Sequence, residues 1–122
     1  MPALGQVADR KLVVFGGGNG ICYAFSPPEN PAAETVAELR RVWHFNCDPD
    51  APADDVHKYM RNRKVSASNI KGMPVFHRGR VYVAAGGDIW WGKEKAWLKC
   101  IDASQTGDIT ESGALWSYDL AK

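Results

Sequence analysis

With 122 residues the chain can form one domain with a true core, burying roughly 65% of the surface its unfolded form exposes. Fifteen Lys and Arg stand against 14 Asp and Glu, a near-zero balance that excludes a field able by itself to hold nucleic acid or an anionic membrane. No apolar run of about 18 residues is present to span a bilayer, and residues 1–5 lack the basic start and apolar stretch of a signal peptide.

In chain order the pattern begins with a Pro-led apolar stretch, Pro2-Ala3-Leu4, and a polar turn, Ala8-Asp9-Arg10. A strand follows over residues 12–18 (LVVFGGG), rich in β-formers and closed by glycines. Residues 21–25 (ICYAF) give a third strand, and residues 42–46 (VWHFN) a fourth, in which alternation puts Trp43 and Phe45 on one face. Residues 47–73 read as a long connection. It opens on the acidic stretch 48–55 and holds the one helix candidate, residues 54–61 (DDVHKYMR), acidic at its start and basic toward its end as the helix dipole favours.

The pattern then repeats. Pro74-Val75-Phe76 and Arg78-Gly79 answer the first stretch and turn, and residues 81–87 (VYVAAGG) answer 12–18 at an offset of 69. Residues 97–101 (WLKCI) answer 21–25, and residues 115–119 (LWSYD) place Trp116 in register with Trp43, each with an aromatic two residues on. The predicted fold is all-β: two four-stranded antiparallel units at 1–46 and 74–122, with one short helix in the connection at 47–73. Four antiparallel strands per repeat are the unit of a β-propeller blade, which makes the chain a partial propeller of two blades.

Residues 79–120 resemble the pyrroloquinoline-quinone-type (PQQ-like) propeller repeat, whose core runs strand, Gly turn, strand, then Ala-x-Asp-x-x-Thr-Gly before a Trp strand. Gly86, Gly87, Cys100 in the Ala place, Asp102, Thr106, Gly107 and Trp116 carry the likeness. The first unit looks like a degenerate copy in which Gly17, Gly18, Ala24 and Trp43 match, Ser26 replaces the Asp, and residues 27–31 (PPENP) replace the Thr-Gly turn.

The resemblance implies that Asp102 and Thr106 bond backbone in the turn, that Gly107 takes a positive φ, and that Trp43 and Trp116 pack between neighbouring blades. It further implies a periplasmic or extracellular protein. In quinoprotein alcohol dehydrogenases of this family PQQ and a calcium ion sit on the ring axis; in the periplasmic lipoprotein of outer-membrane protein assembly the propeller is a scaffold. A ring needs roughly 4 to 8 blades, so the expectation is a piece of a larger propeller or a unit that joins other copies of itself.

Chemistry is sparser than architecture. The run Gly16-Gly17-Gly18-Asn19-Gly20 lacks the following helix a dinucleotide loop requires. The acidic stretch 48–55 has no Gly at its sixth place and Tyr59 at its twelfth, so it is no EF-hand loop. His44, His57 and His77 share no ligand spacing, the basic stretch 57–64 reads as a solvated face, and no nucleophile motif stands beside a His. Cys22, Cys47 and Cys100 are an odd set without C-x-x-C spacing and read as small buried or loop residues.

The strongest candidate site is the long loop after the second unit's glycines, where Asp88, Trp90, Trp91 and Lys93 could present a binding face to a protein or small molecule. The reading is a non-catalytic scaffold or binding module; the alternative is part of a PQQ-dependent oxidoreductase acting on alcohols or sugars. No cofactor contact is located in these residues, and neither nucleic acid nor a membrane span is expected.

Overall fold

The computed structural model describes residues 1–30, 36–61, 64–88 and 93–119. Among the described residues nine strands form two sheets: β1 (Ala3–Val7), β2 (Arg10–Gly16), β3 (Ile21–Ser26), β4 (Arg40–Asn46), β5 (Val75–His77), β6 (Arg80–Asp88), β7 (Lys93–Asp102), β8 (Gly107–Asp108) and β9 (Ala114–Asp119). The first sheet has the order β1-β2-β3-β4-β8 and the second β5-β6-β7-β9. All pairings are antiparallel save β4 with β8.

All eight strands anticipated from the sequence form, because each carries β-branched or aromatic residues between turn-formers. Two-residue turns at Ala8-Asp9 and Arg78-Gly79 close the paired hairpins, bringing Val7 opposite Arg10 and His77 opposite Arg80. Both sheets also bulge at the same place: β3 and β4 shift register so that Val42 is unmatched before Trp43, and β7 and β9 shift so that Leu115 is unmatched before Trp116. Trp43 then lies opposite Ala24, and Trp116 opposite Cys100.

Cross-strand partners share a face, so the registers divide each sheet into two surfaces. On the first sheet Leu12, Val14, Cys22, Ala24, Trp43 and Phe45 form a buried face. On the second sheet it is the other surface that is buried, through Val81, Val83, Ala85 and Ile101. These two faces meet, with Ala103, Ile109, Cys47 and Ile70, in one core. Hairpin pairing matches Leu12 with Tyr82 rather than Val81, one residue out of phase with the glycine-based alignment, because one residue fewer separates Arg80 from Gly86 than separates Arg10 from Gly17.

The sheets close at their β1 and β5 edges through a tight contact. A β-carbon on Gly5 would fall within the Phe76 ring, so only glycine lets the two strands approach to this distance.

Two features differ from the sequence expectation. The helix shrinks to one 3-10 turn, Val56–Tyr59, with Asp55 left-handed at φ 49, no side-chain cap and no buried residue. Without a cap or an apolar face against the core, nothing favours extending the helix. The second difference is β8: residues read as a turn leave their own sheet and pair in parallel with β4, Trp43 opposite Gly107 and His44 opposite Asp108.

Candidate functional site

Two places gather the residues singled out by the sequence. One is the junction where the turn after β7 crosses to the first sheet. Asp102 shapes that turn: its Oδ1 accepts from the Ser104 amide at 3.0 Å and hydroxyl at 2.7 Å, and its Oδ2 from Gln105 Nε2 at 3.2 Å. These bonds, the Ser104 hydroxyl foremost, hold the Asp102 carboxyl below its ordinary 3.8. Gly107, at φ 84, then turns the chain into β8. Asp108 repeats the device, accepting from the Thr110 amide at 3.1 Å and hydroxyl at 2.7 Å, while Asn46 donates its amide to Thr110 Oγ1 at 3.1 Å.

The turn so formed presents carbonyls to the first sheet. Trp43 Nε1 donates to the Ala103 carbonyl at 3.2 Å, and Arg10 Nη2 donates to the same carbonyl at 3.0 Å and to that of Gln105 at 3.1 Å. Trp43 is fully enclosed, at 0% exposure. Its indole thus has both an apolar seat and a partner for its N–H, which a buried Trp needs. His44 Nε2 stands 3.5 Å from Asp108 Oδ2 on the exposed side of this junction.

Three residues separate Asp102 from Thr106 where the repeat pattern has two, and Thr106 points to solvent. Ser104 and Thr110 supply the hydroxyls bonded to Asp102 and Asp108. Trp116 occupies Trp43's place in the second sheet but retains 43% exposure, tilted against Tyr82 with ring centroids 6.0 Å apart.

The second place is a cleft of about 530 Å³ between the connection and the start of β7, lined by Asp48, Asp50, Tyr59, Lys64, Ser66, Lys93 and Lys95 among others. Of the candidate loop, Trp90 and Trp91 lie outside the described residues, and Asp88 ends β6 in backbone register with Lys93. Lys93 is placed clearly. It is 7% exposed and its ammonium donates to the Ser66 carbonyl. Burial lowers its pKa from 10.5, opposed by the charge of Asp48 and reinforced by Lys95.

Asp48, which sequence reasoning placed on a solvated acidic loop, is buried and accepts the Ser68 hydroxyl at 2.5 Å. Its burial was hidden because the connection folds back along the sheets: Ile70 donates its amide to the Gly17 carbonyl, and Cys47 to that of Gly20. The only available signal was negative, an Asp beside a Cys at the end of an apolar strand.

Residues 17–20 form the tight connection of β2 to β3, closed by bonds from the Gly17 amide to Ile21 and the Gly20 amide to Gly17. All three cysteines are free and buried. Burial raises the thiol pKa of Cys22, and that of Cys47 is pushed up to about 12, so both stay protonated at neutral pH. Among the described residues no three His, Cys, Asp or Glu side chains come together to hold a metal. No described helix is long and apolar enough to cross a membrane.

No family model matches the chain, and neither curated proteins nor solved structures provide a match.

Proposed function

We propose that this chain is a non-catalytic binding scaffold made of two PQQ-like β-propeller blades, with ligand contacts on the loop face around Lys93. The observation that carries the reading is the double use of the Ala103 carbonyl. Trp43 and Arg10 of one blade both bond to the turn of the next, and the repeat residues Asp102 and Gly107 serve to shape that turn. The motif is thereby accounted for by blade stacking. Asp102, the motif carboxylate, serves this turn by accepting from Ser104 and Gln105.

The cleft at Lys93 suits recognition of a polar small molecule or a protein side chain. It is walled by charges of both signs, with the buried Asp48 and Lys93 held by Ser68 and Ser66 and so fixed in direction. Extracellular or periplasmic residence belongs to the same proposal and rests on the family resemblance alone.

The reading is tested by following amide chemical shifts while small carboxylic acids, sugars and PQQ with Ca²⁺ are titrated in turn. Saturable shifts confined to the Asp48, Ser66 and Lys93 region, lost in Lys93→Met, are expected. Dye-linked oxidation of alcohols or sugars in the presence of PQQ and Ca²⁺ would contradict it.

A further inference from the structure

The interface inside this chain supplies the pattern for a second one. It joins the Trp face of the first sheet to the opposite face of the second. Two faces remain uncovered. On the second sheet the Trp face presents Val75, Leu98, Trp116 and Tyr118, all substantially exposed, with Tyr82 beneath Trp116. On the first sheet the opposite face presents Phe15, Tyr23 and Phe25, the last two with stacked rings 6.2 Å apart. Monomeric proteins rarely leave contiguous apolar faces of this kind open.

One polar contact has a counterpart as well. Arg10 and Arg80 each follow the hairpin turn directly, and each shares a face with its sheet's tryptophan. Arg10 and Trp43 grip the carbonyls of Ala103 and Gln105. Counting from the residue opposite each tryptophan, Ala24 or Cys100, the first-sheet carbonyl that corresponds to Ala103 belongs to Pro27, whereas Arg80 stands two residues nearer its tryptophan's row than Arg10 does.

We infer that a second copy of this chain docks its first sheet, through Phe15, Tyr23 and Phe25, on the Trp116 face of the second sheet. Trp116 then holds the copy's Pro27 carbonyl as Trp43 holds that of Ala103. The inference rests on the blade reading above and gives it a partner. Such a contact is heterologous, joining two different faces, so it propagates until the ring closes. Closure at roughly 4 to 8 blades corresponds to roughly two to four copies.

Sedimentation or light scattering of the intact chain tests this, with near-UV circular dichroism as the check on folding. Self-association that is lost both in Trp116→Glu and in Phe15→Glu is expected. Mixing those two variants should restore a one-to-one pair, because each keeps the face the other lacks. A monomeric chain, an assembly indifferent to both changes, or variants that do not pair on mixing would overturn the inference. If the chain is monomeric with an intact near-UV aromatic signal, the docking fails while the internal stack stands. If that signal is absent in the unmodified chain, the blade reading itself fails.

Discussion

Trp43 and Trp116 hold one position in two sheets. Each follows a bulge, each lies opposite a small residue on the neighbouring strand, and each shares a face with an arginine at the hairpin turn. The first is nevertheless sealed in the core and the second stands half in solvent. The difference lies outside the sheet that carries each residue. The second sheet contributes Val81, Val83 and Ile101 to the core that encloses Trp43, and its turn brings a carbonyl to the indole N–H. What a strand position contributes is therefore decided by the neighbour stacked on it, as in repeat proteins whose stability divides into unit and interface terms.

Substitutions at matched positions sharpen this comparison. Trp43→Ala should cost about 3–5 kcal/mol, the usual penalty for emptying a core aromatic site, whereas Trp116→Ala should cost below about 1 kcal/mol in the monomer; urea unfolding of both variants measures the contrast. Equal costs would break the account. Next in size, Arg10→Met should lose about 1.5–3 kcal/mol with its two charge-assisted bonds, while Arg80→Met should stay within about 0.5 kcal/mol, again by urea midpoints.

Gly5→Val probes the sheet contact from its other edge. Its methyls meet the Phe76 ring, and overpacking of this kind costs about 1–3 kcal/mol. A Phe76→Ala change in the same chain should recover part of that loss, a coupling that a double-mutant cycle resolves.

The smallest effect concerns pH. The folded carboxyl of Asp102 titrates below 3.8, so its contribution is complete above that value and is lost as pH falls through the lower folded value. Asp102→Asn should therefore flatten the acid limb of the stability profile below pH 3.8 and leave its slope at neutral pH unchanged. Thermal melts across the acid range read this directly.

Much of the fold was legible in the sequence because the determinants were local. The run of β-formers at residues 12–15, the aromatics at Trp43 and Trp116, and the turn residues between runs specify the strands within each unit. Two things were hidden because they depend on how the strands pair. Gly107 and Asp108 carry no strand pattern, and pair with β4 only because the turn is held against it by Trp43 and Arg10. The glycine pair comes one residue sooner after the hairpin turn in the second unit, so a glycine-anchored alignment places the buried face of β6 one residue out.

Lys93 was singled out from loop length and charge, but its partners came from elsewhere. Asp48, Ser66 and Ser68 belong to a connection whose polar composition read as solvated. Their burial follows from backbone bonds between that connection and the β2–β3 turn, for which composition holds no signal.

The most direct test of the stacked arrangement is hydrogen exchange at the indole N–H groups, followed by NMR in a Phe15→Glu chain, where self-stacking is blocked. The Trp43 indole, bonded to Ala103, should stay protected until the whole domain unfolds, and the Trp116 indole should exchange within the first spectrum. Comparable exchange at the two tryptophans would contradict the stacking of one sheet's Trp face on the other.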